Sequence, residues 1–229
     1  MRTFFAGILL CFIFTAQAGY SQNSPIKWGI EVGAGYSELP YQDLDEFYRQ
    51  LWDDISGTFG VNALVFGEMQ FFPWLALQSG LRYNQFGHHV KYTNRDQVAG
   101  IEVILSSGFF EFTQHHISIP LRAKALPFDA PFYLLAGPEL GYIVNGGSYM
   151  EYINAEGIVT MMGSESITDQ INRLQFSLSG GAGFQTSIGN RPLYVQVLHE
   201  VGTSPVGKRD LFVFTWQTRA TSLQIGFLL

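Results

Sequence analysis

The sequence has little cysteine, little charge and, after its first residues, no apolar run long enough for a transmembrane helix. Its single cysteine is Cys11, and charged residues make up 14% of the 229 residues, against about 25% in typical soluble domains. No stretch after residue 18 offers the roughly 18 consecutive apolar residues that would cross a membrane as a helix. The net charge is −6 without basic clusters, which argues against a nucleic-acid partner.

The first 18 residues have the three parts of a secretory signal peptide. Arg2 provides a positive start, residues 4–14 are apolar, and residues 16–18 form a small-x-small cleavage site. We therefore expect a signal peptide over residues 1–18 and one mature domain over residues 19–229. Cys11 would leave with the signal, so we expect no disulfide or thiolate chemistry. No cofactor is expected either, because no phosphate-binding loop, metal-spaced Cys/His set or nucleotide motif occurs.

The chain is instead rich in alternating apolar and polar residues. In residues 174–186, large apolar residues such as Leu174, Phe176 and Leu178 alternate with Gln, Ser and Gly. A period of two is typical of a β-strand with one apolar and one polar face. The alternation recurs about eight times, and it predicts strands at residues 27–37, 58–71, 75–87, 109–126, 132–144, 174–186, 193–202 and 212–229.

The lengths of the links between these strands give a second, independent signal. Links after the first, third, fifth and seventh strands are long, at residues 38–57, 88–108, 145–172 and 203–211, and the others are only a few residues. Transmembrane barrels show this asymmetry between short periplasmic turns and long outer loops, with an even number of strands. We therefore predict an all-β fold: an eight-stranded antiparallel up-and-down transmembrane β-barrel in an outer membrane, with both termini periplasmic.

The alternative is a soluble barrel or sandwich with its apolar face inward. Bulky residues such as Trp28, Phe71 and Tyr83 would then share one small interior. Eight strands enclose only enough room for side chains, and the glycine-rich face fits that interior better. We therefore expect the apolar face to contact lipid.

Four of the predicted strands carry spaced motifs. They are Leu81, Tyr83, Gln85 and Gly87; Ile117, Ile119, Pro120, Leu121 and Lys124; Tyr133, Ala136, Gly137, Pro138 and Gly141; and Gly181 with Gly183. In these motifs the chain resembles the PorT-type ("porin family") outer-membrane β-barrel proteins, a group similar to the OmpA-like eight-stranded barrel. It departs from them at His199-Glu200, where the family tends to have Tyr-Ser, and at Leu229, where an aromatic is usual. The resemblance implies an integral outer-membrane protein, and some relatives are accessory to protein secretion.

The strand pattern also predicts which charged residues face the interior. These residues are Glu31, Glu68, Arg82, Arg122, Lys124, Glu139 and Glu200. Charges in a confined interior need partners, because desolvation otherwise outweighs any gain. We expect a polar network that fills the barrel, and the alternative is a narrow path for solutes or ions. His88 and His116 share the inward parity, but no third metal ligand is evident nearby, so a solvated barrel mouth is expected there.

The first long loop changes its period. Apolar residues from Leu44 to Ile55 follow the spacing of a helical stripe, and Gly57 suits a helix end. We therefore predict a short helix in this loop. It would act as a lid on the barrel mouth or as a partner surface formed by Phe47, Tyr48, Leu51 and Trp52.

The motifs of the chain indicate a type of barrel rather than a chemical activity. Some outer-membrane barrels of similar size are lipid A deacylases with a Ser-His-acid set, and His199, Glu200 and Ser204 are close in sequence here. Adjacent strand residues point to opposite faces, however, and His199 lacks the His-x-Ser pair of those enzymes, so we expect no enzyme. We predict a structural or recognition role through the outer loops, with secretion as one setting. A narrow porin-like channel and a deacylase are the alternatives. The expected partners are outer-membrane lipid and lipopolysaccharide, the barrel-assembly machinery and another envelope or secretion protein.

Overall fold

The computed structural model describes residues 26–42, 52–98, 101–127, 130–189, 191–208 and 215–229. It contains eleven strands: β1 (Lys27–Glu38), β2 (Tyr41–Gln42), β3 (Trp52–Phe72), β4 (Leu75–Val98), β5 (Ile101–Ala125), β6 (Phe132–Asn154), β7 (Val159–Ser166), β8 (Leu174–Ile188), β9 (Arg191–Gly202), β10 (Thr215–Trp216) and β11 (Arg219–Leu228). None of the described residues is helical. Within these ranges no helix is long and apolar enough to cross a membrane.

Eight of the strands close into a ring. The ring runs β1-β3-β4-β5-β6-β8-β9-β11, each strand antiparallel to the next, and β11 pairs back onto β1. The predicted eight-stranded up-and-down barrel is therefore confirmed. We call the end with the β3–β4, β5–β6 and β8–β9 connections the turn end, and the opposite end the loop end. The start of β1 and the end of β11 also lie at the turn end.

The two faces of the barrel wall differ in polarity as the alternation predicts. On β8, Leu174, Phe176 and Leu178 are exposed on the outside, whereas Gln175 and Ser177 are buried inside. The same arrangement recurs in every ring strand, because successive side chains of a strand point to opposite faces. The outer surface is therefore an apolar belt, and the interior holds the polar residues.

Three strands, β4, β5 and β6, are much longer than predicted, and the predicted links 88–108 and 145–172 are wrong. β4 continues to Val98, β5 begins at Ile101, and the two pair along most of their length. β6 continues to Asn154, and β7 follows it within the second of these links. Beyond the belt the polarity inverts, so that Val90 and Tyr92 are buried while Lys91 is exposed. A pattern that seeks apolar outward faces misses these segments. The loop-end parts of β3, β4, β5 and β6 form a five-stranded sheet with β7. We call this sheet the extension (residues 52–57, 88–98, 101–114, 145–154 and 159–166).

Two further predictions need correction. The helical stripe does not reach Trp52 or Ile55, because both lie in β3, paired with Tyr92 and Val90 of β4. Phe47, Tyr48 and Leu51 lie outside the described residues, so no helix is shown. The last ring strand begins at Arg219 rather than at residue 212, because Trp216 belongs to β10, pairs with β2 and lies buried at the loop end.

Glycines on the inner face make room for two aromatic rings near the turn end. A Cβ atom on Gly183 would overlap the Tyr133 ring, and one on Gly226 would overlap the Tyr194 ring. Each tyrosine therefore lies across the glycine of a neighbouring strand. This packing explains how eight strands enclose both large and charged side chains.

Candidate functional site in the barrel interior

The centre of the interior is an ion network built around Arg82. Its Nη1 lies 3.0 Å from Oε2 of Glu139 and 2.8 Å from Oε2 of Glu200. Arg122 approaches the same Glu139 carboxylate, with Nη2 3.3 Å from Oε2. Arg82 projects from β4, Arg122 from β5, Glu139 from β6 and Glu200 from β9, so the network ties four strands together across the barrel.

Neutral groups complete the coordination of the two carboxylates. Ser118 donates a hydrogen bond to Oε1 of Glu139, and Asn84 Nδ2 donates to the same atom over 3.3 Å. Ser177 Oγ donates to Oε1 of Glu200 over 2.9 Å. All these side chains are buried. Each carboxylate therefore has several donors, which a buried charge requires.

A second ion pair lies nearer the turn end. Lys124 Nζ is 2.9 Å from Oε2 of Glu68, and it also donates to Oε1 of Gln185 over 3.0 Å. The ammonium lies 4.5 Å from the centroid of the Tyr133 ring and 5.7 Å from that of Tyr194. These distances allow cation–π attraction.

Glu31 differs from the other three interior carboxylates, because no cation among the described residues forms an ion pair with it. Its Oε2 accepts from Gln196 Nε2 at 2.9 Å and from the Tyr194 hydroxyl at 3.2 Å. Its Oε1 is buried and has no hydrogen-bond partner among the described residues. The structure thus brings six of the seven predicted interior charges into ion pairs and places the seventh, Glu31, beside them.

Apolar clusters occupy the interior on both sides of the ion network. The cluster toward the turn end contains Leu64, Phe66, Tyr133, Leu135, Tyr194, Leu198 and Leu228. The loop-end cluster contains Leu39, Ile143, Ile167, Ile171, Val206 and Trp216, with Phe112 packed against it. Two cavities that border the network have volumes of about 10 Å³ each, room for about one water molecule. The described interior is thus filled.

The two inward histidines do not form a pair, and the prediction of a solvated mouth around them is wrong, because both side chains are buried. His116 lies opposite Asn84, whereas His88 lies opposite Phe112, four residues further along the hairpin. The His88 ring stacks on Phe112 with centroids 4.6 Å apart, and His116 packs edge-on against Phe86. The described ranges contain no group of three or more His, Cys, Asp or Glu residues that would hold a metal ion.

The three residues considered for catalysis lie in different environments. His199 is exposed on the outer face and its Nδ1 is 2.8 Å from the Thr221 hydroxyl. Glu200 is buried in the ion network. Ser204 Oγ accepts from the backbone N–H of Phe176 and donates to Gln175. The structure therefore does not bring these residues into one hydrogen-bonded set.

The extension carries an ion pair of its own, well away from the apolar belt. Arg95 Nη2 lies 2.7 Å from Oδ1 of Asp53, which joins β4 to β3. A hydrogen bond from Thr93 and the adjacent Arg95 guanidinium lower the pKa of Asp53 below its usual value. Trp52, the one described residue of the predicted partner surface, is half-buried opposite Tyr92.

The loop-end cluster was not predicted from the sequence, and the predicted network contained only charged residues. Asn84, Ser118 and Ser177 have the same strand parity as the charges, and the structure adds them to the network as neutral partners. Leu64 and Phe66 interrupt the alternation of β3, and that interruption was the signal of an apolar layer inside the barrel. The loop-end cluster draws residues from between the ring strands, where no period exists to follow.

A closed barrel with an apolar outside and a self-paired polar interior is the architecture of a small membrane-spanning β-barrel protein. The family model described as outer membrane protein beta-barrel domain matches residues 15–197. The chain belongs to this family, and its place is the bacterial outer membrane.

Solved structures with this type of barrel resemble the chain at low sequence identity. Ail of Yersinia pestis, in complex with the heparin analogue sucrose octasulfate, is 12% identical over 90% of this chain and 100% of its own, with a TM-score of 0.41. Neisserial surface protein A is 8% identical over 88% of this chain and 96% of its own, with a TM-score of 0.42. OprG of Pseudomonas aeruginosa is 11% identical over 89% and 91%, with a TM-score of 0.31. No curated protein matches the chain in sequence.

Proposed function

We propose that this protein is a non-conducting outer-membrane barrel that recognises another envelope or extracellular protein at its loop end. The observation that carries the proposal is the filled interior. Apolar clusters lie on both sides of an ion network whose bordering cavities measure about 10 Å³. A permeant solute would have to displace both clusters and break buried ion pairs. The proposed function is therefore assigned to the rim of the barrel at the loop end.

The extension is the part of the rim best suited to recognition. Val98 lies ten residues beyond His88, and at about 3.3 Å per residue this segment is roughly 33 Å long. Long loops of outer-membrane barrels face outward, so the extension would project from the cell. A rigid sheet presents side chains to a partner at a lower entropic cost than a flexible loop does.

Within the extension, the outer edge of β7 is the proposed contact. Among the described strands β7 pairs only with β6, and every β7 side chain with a described placement is exposed. Edge strands are usually protected by lysine, proline or a bulge. β7 contains neither lysine nor proline, and its one charged residue is Glu165. The irregularity in its pairing with β6 is confined to the start of the strand, between Val159 and Met161. Met162 is 62% exposed. These features favour the addition of an extended strand from a partner protein.

Site-specific crosslinking in intact cells tests this recognition. A photoreactive residue at Thr160 should form one discrete adduct with a protein partner. Val159→Lys/Met162→Lys should abolish the adduct, because lysine protects an edge strand. The control Ser107→Lys/Thr113→Lys adds the same charge on β5 at two positions that pair with both β4 and β6, and it should preserve the adduct. Equal adduct yields from the two variants would contradict the role of β7.

Conductance in planar bilayers separates this proposal from the narrow-channel alternative. The purified barrel should show no unitary steps, and reproducible steps would favour a channel. We also propose that the protein is not an enzyme. Lipid A from expressing cells should then retain all its acyl chains by mass spectrometry, and the loss of a chain would favour the deacylase alternative.

The remaining proposals concern export and the PorT-type resemblance. We propose that the signal peptide over residues 1–18 is cleaved, that the barrel-assembly machinery inserts the mature chain, and that its partner belongs to a secretion system. The mass of the mature protein should correspond to a chain beginning at Gly19. Deletion of the gene should reduce secretion of the proteins that depend on that system. Unchanged secretion would contradict the proposal that the partner belongs to a secretion system.

A further inference from the structure

An open cleft of about 510 Å³ lies at the loop end, and none of its lining residues belongs to the extension. Its lining includes Arg173, Lys208, Asp169, Asn172 and Ser204. The cleft is located where β8 begins, directly above the exposed stripe of Leu174, Phe176 and Leu178. Cationic side chains therefore meet the upper boundary of the apolar belt at this point, where lipid headgroups lie.

Hydrogen bonds between the two walls hold the cleft in shape. Asn172 lies on the wall before β8, and Pro205 and Val206 lie on the wall after β9. The Asn172 backbone N–H donates to the Val206 carbonyl over 2.8 Å, and its side-chain Nδ2 donates to the Pro205 carbonyl over 3.1 Å. Ile171 also forms a β-bridge with Gly207. The segment before β8 and the segment after β9 are thus joined, which keeps Arg173 and Lys208 on facing walls.

The charged groups in the cleft have partners that a stronger anion would replace. Arg173 donates to the Asp169 carboxylate, and its Nη1 lies 3.4 Å from the Tyr142 hydroxyl. Lys208 Nζ donates to the Asp169 backbone carbonyl over 2.6 Å and retains two further N–H donors. The Asp169 side chain is 91% exposed, so its displacement would cost little. Two cations against one carboxylate leave a net positive site on a chain of net charge −6.

We infer that this cleft binds a phosphate group of an outer-leaflet glycolipid. The Arg173 guanidinium suits bidentate contact with a phosphate, and the Lys208 ammonium adds a second charge. The acyl chains of the same lipid would lie along Leu174, Phe176 and Leu178, which are exposed directly below. A glycolipid is favoured over a phospholipid because Asn172 lines the cleft beside the cations. Its Nδ2 is used between the walls, but its Oδ1 accepts no hydrogen bond from the described residues and would accept one from a sugar hydroxyl. The inference rests on the outward orientation proposed for the loop end.

Binding in detergent micelles tests the inference with four probes: bisphosphorylated lipid A, lipid A without phosphates, phosphatidylglycerol and inorganic phosphate. The native protein should bind bisphosphorylated lipid A, and removing the phosphates should weaken binding at least tenfold. Arg173→Gln/Lys208→Gln should cause a similar loss. The control Lys27→Gln/Arg191→Gln removes the same charge from exposed residues at the turn end and should bind normally. Heat-modifiable gel mobility should show that each variant is folded.

Three outcomes would overturn the inference. Equal affinity of the two double variants would show that these cations do not form the site. Equally tight binding of phosphatidylglycerol would show that the cleft binds anionic lipids in general rather than a glycolipid. Full competition by inorganic phosphate would reduce the cleft to a simple anion site. If Arg173→Gln/Lys208→Gln does not fold, Asp169→Asn serves instead, and it should bind lipid A roughly two- to fivefold more tightly because a competing carboxylate is removed. Crosslinking at β7 is measured separately from lipid binding, and the cleft variants leave every β7 residue unchanged, so the two proposals can fail separately.

Discussion

Replacement of Arg82 by glutamine is the sharpest test of the interior. Arg82 is 2% exposed and contacts both Glu139 and Glu200. Its removal leaves Glu200 with no cation in contact and leaves Glu139 with Arg122 alone. The interior then holds four carboxylates and only two cations. Breaking a buried ion pair by removing one partner costs about 3–5 kcal/mol, so Arg82→Gln should lower the free energy of unfolding by that amount.

Urea unfolding of the protein in lipid vesicles measures this change. The midpoint should fall while the slope stays the same, because the surface exposed on unfolding is unchanged. Arg95→Gln is the matched control on the same strand. Arg95 pairs with Asp53 at the surface, where the two side chains are 44% and 29% exposed, so its loss should cost less than about 1 kcal/mol.

A double variant separates the charge imbalance from a packing defect. Adding Glu200→Gln to Arg82→Gln removes the stranded carboxylate and should recover part of the lost stability, so the two changes should not add. Equal losses for Arg82→Gln and Arg95→Gln would refute the reasoning. Full additivity in the double variant would show that Arg82 acts through packing alone.

Three further comparisons, made with five variants, test the interior pairing, the packing and the extension. Glu139→Gln should cost about 3 kcal/mol of unfolding free energy, because this carboxylate pairs with two cations. Glu31→Gln should cost less than about 1 kcal/mol, because no described cation pairs with that carboxylate directly. A larger loss for Glu31→Gln than for Glu139→Gln would contradict the assigned pairing. Gly226→Ala should cost about 1–3 kcal/mol by overpacking a tyrosine ring, while Gly163→Ala, with no atom within 4 Å of the added carbon, should change stability by less than about 0.5 kcal/mol. Because the folded-state pKa of Asp53 is lowered, its contribution to stability is present above its ordinary pKa of 3.8 and is lost as pH falls below it. The stability difference between wild type and Asp53→Asn should therefore shrink below about pH 4, and a difference independent of pH would contradict the ion pair.

The sequence predicted the barrel well because lipid imposes a strict rule on the wall. Outside the barrel only apolar side chains are tolerated, so alternation locates each ring strand and assigns its inward residues, as Leu174 and Gln175 illustrate. Beyond the belt this rule ends. Val90 faces inward and Lys91 outward, as in a soluble sheet, and the extension was therefore interpreted as loop. Its strands could be located only by their pairing.

Partner choice inside the barrel also could not be predicted from parity. Arg82 lies opposite Ser118 of the adjacent strand β5, yet its ion-pair partners are Glu139 on β6 and Glu200 on β9. Which carboxylate it meets depends on the stagger of the strands around the ring, which a one-dimensional pattern does not contain. Parity reveals that a side chain is inside, and closure of the barrel determines what it touches.

The layered interior bears on where function can evolve in this protein. A soluble domain is stabilised mainly by its apolar core, but here the largest apolar surface faces lipid, and the interior holds seven charges. Arg82, Arg122 and Lys124 are each used to balance a carboxylate, so a change made there for a permeant would remove a structural ion pair. The ion pairs of the extension and of the cleft, Arg95 with Asp53 and Arg173 with Asp169, are exposed to solvent, so a substitution there costs little stability. Substitutions at the rim can therefore alter recognition while the barrel keeps its stability.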